Sequence, residues 1–461
     1  MKITHLDTIY CKADQPKLLR VKKLSFEKSF WRKKNEYSRE EKRYDRYLVD
    51  KNGMFLAGLL PAIISYCQSE NIQLEIDNLE IDIKPKEITD RISFRDNQKR
   101  PITTALQTNR GVLKAPPGYG KTVICAAICS AFPNSRILFL CHTISLLKQA
   151  KEEFERFGIG PCSIIYGKEK NLDGRIIIST VQSFSRDDIL KQMQNEFDVI
   201  ICDECHHVAN MESKKKTING ETVEYKTGYH KVLTSLIAPY RYGVTATVHD
   251  SPEQRFAMEG LIGPVIDEIT LQEGQEKEVL AKPIIKLIPV EQLNNIRDYR
   301  TYADIYQAGI VEYRKRNRIV LEEAKKLNDQ NKSTVIYVNK IEHGEKLLDI
   351  AKRMEIKAYF VRGETDGNER DLIRKALNKK EILTVIATTV WTEGINILSL
   401  DSIIVAGGGK KELQLIQKIG RALRRTSEKT EVFIVDFLDS GKYLSEHCIE
   451  RIKIYCDNGW L

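Results

Sequence analysis

From about residue 110 to residue 270, short apolar runs alternate with amphipathic stretches. GVLKA, RILFLC, RIIIST, VIICD and YGVTAT are nearly unbroken apolar segments, the pattern of strands buried on both faces. Between them, TVICAAICSAF and TISLLKQAKEEFERF have helical periodicity; in the latter Leu146, Leu147, Ala150, Phe154 and Phe157 share one face. Strand and helix in alternation predict a parallel sheet covered by helices. The rhythm returns after about residue 280, with TVIYV, AYFV, TVIAT, SIIVAG and VFIVDF as strands. RNRIVLEEAKKLNDQ, HGEKLLDIAKRM and ERDLIRKALNKK read as the helices between them. The intervening ITLQEGQEKEVLAKP is polar and ends in proline, which predicts a linker. Residues 1 to 90 lack this rhythm. The expected fold is therefore α/β, with two parallel-sheet domains in tandem (91–277 and 278–461) after a small α+β domain (1–90).

Composition narrows this little: 461 residues, 42% hydrophobic and 30% charged, describe an ordinary globular chain. The longest apolar stretch, MFLAGLLPAIISYC, is too short to span a bilayer and contains a proline, so no membrane role is expected. MKITHLDTIY has no apolar signal-type core, which points to a cytoplasmic location. Ten cysteines, several within apolar runs, suit buried reduced thiols. Charge is more telling. The net charge is +9, and between Lys17 and Lys51 there are 13 Lys or Arg against 6 Asp or Glu. Phe26, Phe30, Trp31, Tyr37, Tyr44 and Tyr47 are interleaved with them. Basic residues mixed with aromatics fit phosphate contact and base stacking, with Arg32, Lys33 and Lys34 as candidates. The same pattern fits solvated lysines over an aromatic core.

Residues 112–122, VLKAPPGYGKT, place a strand before a loop and a helix after it. Pro117, Gly118, Tyr119 and Gly120 form a loop whose glycines let backbone N–H groups face phosphate oxygens. Lys121 is placed to reach the β- and γ-phosphates, and the Thr122 hydroxyl to ligate Mg²⁺. The strict pattern G-x-x-x-x-G-K-[ST] is missed by one residue, because Ala115 stands at the first glycine.

ICDECHHV at 201–208 allows more than one reading. Its cysteine and histidine spacing is that of a zinc half-site or of a C-x-x-C-H haem attachment. A zinc site needs two further ligands, and the other cysteines and histidines form no second pair. As the end of a buried strand in a domain with a phosphate loop, it presents Asp203 to a metal and Glu204 to the attacking water. Carboxylate chemistry is the better account.

In the second α/β domain QKIGRALRR offers Gln417, Gly420, Arg421, Arg424 and Arg425. Arg421 and Arg424 lie three apart, so on a helix they share a face suited to γ-phosphate charge. A basic helix end in solvent is the plainer alternative.

The ordered set resembles superfamily 2 helicases of the DExH type. Gln98 in FRDNQKRPI matches that family's adenine-reading glutamine, and APPGYGKT is similar to motif I. FLCHTISLLKQ with Thr143 resembles motif Ia, IIISTVQSF with Thr180 motif Ib, and DECH motif II. GVTATV resembles motif III, in which Thr245 and Thr247 would couple hydrolysis to movement. VIYVN resembles motif IV, ATTVWTEGIN motif V and QKIGRALRR motif VI. The resemblance implies two RecA-like domains with ATP and Mg²⁺ in the cleft between them. It also implies catalytic roles for Glu204, Gln417, Arg421 and Arg424, a coupling role for Gly394, and nucleic-acid contacts at Arg362, Thr388 and Trp391. Motif V departs from many members in having Asn396 where they carry Asp. RYDRYLVDKNGMFLAGLLPAIISYCQSENIQLEI further resembles the first domain of phage UvsW-type helicases. That likeness implies an ATP-dependent translocase moving 3′→5′ on forks and four-way junctions in replication, recombination or repair.

MESKKKTINGETVEYKTGYH contains Asn219-Gly220 between two strand-like runs, a tight hairpin signal. Lys214, Lys215 and Lys216 make it basic, suited to DNA near a branch point or simply to solvent. The expected partner is branched double-stranded DNA, with replication or recombination proteins in addition, and the protein is expected to be monomeric alone. The rival readings are an RNA helicase, a restriction-complex motor subunit, and a non-motor DNA-binding factor with a vestigial ATPase.

Overall fold

The computed structural model describes residues 1–33, 39–167, 169–209, 213–218, 221–226, 228–249, 251–277, 280–291, 299–388, 400–409 and 429–461. Two compact units emerge: Met1–Ala115 with Gly120–Glu268, and Pro116–Tyr119 with Ile269–Leu461.

The first unit opens with β1 (Lys2–His5) and β2 (Tyr10–Ala13), paired antiparallel. β3 (Ser25–Lys33) and β4 (Arg39–Tyr47) make a separate antiparallel ribbon from much of the basic, aromatic segment. β5 (Met54–Leu56) and β6 (Glu75–Asp77) complete a four-stranded sheet in the order β5-β2-β1-β6. The helix Leu60–Ser69 buries Leu60, Ile63 and Cys67 against Ile3, Cys11, Leu19 and Phe55, giving this sheet its own core. It is also tied to the larger sheet that follows. Ala238 donates its backbone N–H to Thr8 Oγ1 at 3.1 Å, and the Tyr240 hydroxyl donates to the Ile83 carbonyl at 2.6 Å. At Gly58 a Cβ would lie 2.0 Å from the Glu259 carbonyl oxygen, so only glycine permits this approach.

The larger sheet contains β7 (Arg110–Lys114), β8 (Ile137–Cys141), β9 (Cys162–Tyr166), β10 (Glu169–Lys170), β11 (Ile176–Thr180) and β12 (Val199–Asp203). After the hairpin strands β13 (Ser213–Ile218) and β14 (Glu221–Lys226) come β15 (Tyr240–Thr245) and β16 (Val265–Glu268). The order is β10-β9-β11-β8-β12-β15-β7-β16, parallel except at β10. β8, β11, β12 and β15 are buried at every position, which explains their unbroken apolar runs. Arg241, inside β15, is 1% exposed. Its guanidinium donates to the carbonyls of Leu233 (2.8 Å), Leu236, Ala238 (3.4 Å) and Leu261 (3.3 Å). It thereby satisfies helix C-terminal acceptors that would otherwise be buried alone. The β13–β14 register ends with Ile218 opposite Glu221.

The second unit has β17 (Lys282–Val290), β18 (Thr334–Tyr337), β19 (Ala358–Val361), β20 (Thr384–Ala387), β21 (Ser402–Val405) and β22 (Glu431–Asp439). The order is β17-β22-β21-β18-β20-β19, and every pair is parallel. Helices Arg314–Asp329, Ile341–Arg353 and Gly367–Asn378 connect the strands as their periodicity predicts. Two buried ion pairs pin the unit. Arg316 forks onto Asp439 at 2.6 and 3.0 Å, and Arg451 onto Asp436 at 2.8 and 3.1 Å.

The polar stretch expected to be a linker is not wholly irregular. It contains the helix Leu271–Glu276, capped by Thr270, whose hydroxyl accepts from the Glu273 N–H at 3.0 Å. β17 follows directly and lies at a sheet edge, where its prolines 283 and 289 cost no ladder bond. No helix among the described residues is long and apolar enough to cross a membrane.

Candidate functional site

Apart from the loop residues Pro116–Tyr119, which are counted with the second unit, the candidates before residue 250 lie in the first unit, most of them at the carboxyl ends of parallel strands, where open α/β sheets present ligands. β7 ends at Lys114. Gly118 (φ +83°) and Gly120 (φ +93°) then turn the chain in the left-handed region before the helix Lys121–Ser130. A Cβ on Gly120 would lie 2.5 Å from Gln98 Nε2, so a side chain there would fill the loop's inner side. Gln98 is 1% exposed; its Oε1 accepts from the Arg95 N–H at 2.9 Å, and its Nε2 lies 3.5 Å from the Gly120 carbonyl. Tyr119, in the middle of the loop, is buried. Lys121 and Thr122 open the helix. Lys121 Nζ is 3.4 Å from the Ala115 carbonyl and 3.8 Å from Glu204 Oε1.

β12 delivers Asp203 in a buried position, and its Oδ1 accepts from the Glu204 N–H at 2.9 Å. Glu204 has φ +47°, a left-handed conformation that a non-glycine residue adopts at a cost of about 1–2 kcal/mol. That twist turns the chain from the strand into the 3₁₀ turn Cys205–Ala209. Burial, and next the charge of Glu204, push the Asp203 carboxyl above the usual carboxylate range. Two adjacent carboxylates with one lysine are short of positive charge. The donor set Asp203 and Thr122 therefore fits a hard, oxygen-binding divalent cation such as Mg²⁺. The glycine-lined loop with Lys121 fits a polyphosphate.

His206 ties this site to the next strand. Its Nδ1 is 3.4 Å from Glu204 Oε2 and 2.9 Å from Thr245 Oγ1. The Thr245 hydroxyl donates to the Thr247 carbonyl at 2.9 Å, which leaves its oxygen to accept from His206 and from the Thr247 N–H. His249 Nε2 lies 3.1 Å from the His206 carbonyl. His206 therefore lies between Glu204 and Thr245, its Nδ1–H directed to the Thr245 hydroxyl, a juxtaposition the sequence reading did not contain.

Cys202 and Cys205, the other half of ICDECHHV, belong to the apolar core. Cys205 Sγ lies 3.9 Å from Met258 Sδ, and burial pushes the Cys202 thiol up to about 12. They are packing groups.

Residues 90–250 match the family described as type III restriction enzyme, res subunit, and residues 315–426 match the helicase conserved C-terminal domain. The chain is a superfamily 2 helicase resembling the UvsW type. It is 24% identical over 458 residues to the ATP-dependent DNA helicase uvsW of Enterobacteria phage T4, covering 89% of this chain and 87% of that protein. It is 24% identical over 404 residues to the DNA 3'-5' translocase XPB2 of Sulfurisphaera tokodaii, covering 80% and 87%. Among solved structures, the DUF1998 helicase MrfA bound to DNA is similar in fold, with a TM-score of 0.59 and 17% identity over 81% of this chain and 56% of that one.

The remaining candidates of this superfamily 2 helicase are less concentrated. Thr143 caps the helix Ile144–Arg156, its hydroxyl accepting from the Leu146 N–H at 3.3 Å. Thr180 caps the helix Val181–Phe184 in the same way at 3.4 Å and is buried. Both hydroxyls thus do local structural work at the carboxyl ends of β8 and β11. Arg362, in the second unit, pairs with Glu345 at 2.7 Å and Glu364 at 3.4 Å. Thr388 follows β20 and is buried, and its Oγ1 has no hydrogen-bond partner among the described residues. Arg32 and Lys33 end β3, while Lys214, Lys215 and Lys216 lie along β13. Lys34, Trp391, Gly394, Gln417, Arg421 and Arg424 lie outside the described residues.

Proposed function

We propose that the protein hydrolyses ATP and uses the energy to translocate on DNA, remodelling forks and four-way junctions. The observation that carries this reading is the convergence of Lys121, Asp203 and Glu204 from β7 and β12. Thr122 and Asp203 would hold Mg²⁺, which supplies positive charge to the phosphate oxygens when bound. Lys121 binds the β- and γ-phosphates. Glu204 orients a water and accepts its proton as the water oxygen bonds to the γ-phosphorus and the bond to the bridging oxygen breaks. Gln98 stands beside the loop where the adenine edge would be read. Arg421 and Arg424 are assigned to charge in the transition state, and Gln417 to the same motif. His206, Thr245 and Thr247 relay the state of Glu204 to the neighbouring strand, with Gly394 in the second domain as a further coupling position.

DNA as the track is supported by what the uvsW and XPB2 relatives are named for, and 3′→5′ polarity by the name of XPB2. We assign residues 1–90 to DNA binding, 91–277 to the ATP-binding domain and 278–461 to the second motor domain. The ribbon β3–β4 with Arg32 and Lys33, the following residue Lys34, and the hairpin β13–β14 with Lys214, Lys215 and Lys216 are the basic positions assigned to DNA. Thr143, Thr180, Arg362, Thr388 and Trp391 are assigned to the tracked strand. In this reading the protein works as a monomer in phage replication, recombination or repair.

The test is steady-state ATPase activity with equal nucleotide concentrations of single-stranded DNA, linear duplex, a model fork, a four-way junction and structured RNA. Strongest stimulation by the fork or junction is expected. Strongest stimulation by RNA would replace DNA by RNA as the track and discard the branched-DNA assignment.

A further inference from the structure

Two imidazoles in the first unit lie face to face. The His142 and His207 ring centroids are 3.8 Å apart with 10° between the ring planes. Each ring belongs to a different chemical neighbourhood. His142 directly follows β8 and precedes Thr143, the cap of the helix Ile144–Arg156. His207 sits on the 3₁₀ turn after β12, three residues beyond Glu204, and its backbone N–H donates to the Glu204 carbonyl at 3.1 Å. β8 and β12 are adjacent in the sheet, with Leu140 opposite Cys202, so the stack bridges the two strand ends.

The geometry has a mechanical consequence. Parallel rings at van der Waals separation cannot approach further, and separating them gives up the stacking contact of two half-buried rings. A shift of the segment at Thr143 is therefore felt at His207, and through its N–H at the backbone that holds Glu204 in its left-handed conformation. His206 lies beside the stack, its ring centroid 4.1 Å from that of His207, so the Thr245 link joins the same group of rings. Burial, followed by the neighbouring imidazoles, pushes His207 down to about 3, so near neutral pH this ring is uncharged.

We propose that His142 and His207 are positioning residues that transmit nucleic-acid engagement at the Thr143 helix to Glu204, and so set how strongly nucleic acid stimulates hydrolysis. This rests on the ATPase reading above, but adds a residue pair and a route that reading does not require. The route is physical contact between two segments whose relative position the stack controls, not proximity alone.

The experiment compares the full-length parent with His207→Ala, His207→Phe, His142→Ala and the double alanine variant. Readouts are ATP hydrolysis with and without saturating forked DNA, KM for ATP, DNA affinity by fluorescence anisotropy, and thermal melting. His207→Ala is expected to keep basal kcat and KM while the stimulation by DNA falls by about tenfold. His207→Phe, which restores a flat ring, should recover stimulation to within about twofold of the parent. His142→Ala should match His207→Ala, and the double variant should be no worse than either, because the pair acts as one unit. The inference is overturned by parent-like stimulation in both single alanine variants. It is equally overturned if basal and stimulated rates fall by the same factor, or if phenylalanine fails to rescue a variant that melts like the parent. A parent that no nucleic acid stimulates would instead overturn the function it rests on, and the inference with it.

Discussion

Replacing Glu204 by glutamine isolates one charge. Glutamine has the same heavy-atom shape, so the 3.8 Å approach to Lys121 and the 3.4 Å approach to His206 are sterically retained. The backbone at φ +47° and the Asp203 contact to the residue 204 N–H are untouched. What disappears is the carboxylate that the proposed mechanism makes the acceptor for a proton from water. General-base assistance contributes about 10²–10⁴ in rate, equivalent to roughly 2.7–5.5 kcal/mol of barrier. Removing the carboxylate also frees Lys121 from an opposite charge, so ATP binding should be unchanged or tighter. The assay is single-turnover hydrolysis with saturating fork DNA, paired with equilibrium binding of a fluorescent ATP analogue. A Glu204→Gln protein that hydrolyses within about threefold of the parent rate would remove Glu204 from the chemistry.

Further outcomes follow from other residues. Lys121→Ala should abolish productive ATP binding, seen as loss of both nucleotide affinity and turnover, without a change in melting temperature. Arg241→Leu leaves four buried carbonyls without their donor and should destabilise the first unit by roughly 3–5 kcal/mol, read from denaturant titration. Deleting residues 213–227 should leave basal ATPase intact and reduce junction unwinding; unchanged unwinding would make the hairpin a surface ornament. In the second unit, His343 is fully buried, its Nε2 2.9 Å from Asn317 Oδ1, and burial pushes it down to about 3. Its folded pKa is depressed, so the neutral form is favoured: stability is whole above the unfolded value near 6.5 and is lost as pH falls towards 3. About 2 kcal/mol should be gone at pH 5. Hydrogen exchange of helices Arg314–Asp329 and Ile341–Arg353 should show this loss, and His343→Gln should flatten it.

How much was legible depended on burial. ILFLC, VIICD and TVIYV could be read as strands because both sheet faces are covered and every position is apolar. β17 was missed because KPIIKLIPV mixes prolines and lysines, which an edge strand tolerates and a central one does not. The helix Leu271–Glu276 was hidden in polar sequence, although Thr270 and Glu273 stand at capping-box spacing. At the site, the glycine loop and the two strand-end carboxylates were legible as local patterns, and the structure brings Lys121 within 3.8 Å of Glu204. Arg241 was not, since a charged residue inside YRYGVT gives no hint that helix ends will converge on it. His207 was in view from the start but was weighed only as a metal ligand. Its stacking partner is 65 residues earlier in the chain, and adjacency of β8 and β12 is a property of the sheet order, which no local pattern encodes.

The most direct test of the central claim is ATP-driven strand exchange on a mobile four-way junction, followed by fluorescence energy transfer between labelled arms. The parent protein with ATP and Mg²⁺ should separate the labels, while a non-hydrolysable analogue or Glu204→Gln should bind the junction and leave the signal unchanged. Junction binding and ATP turnover without any displacement would contradict the account and leave a DNA-stimulated ATPase that does not move its track.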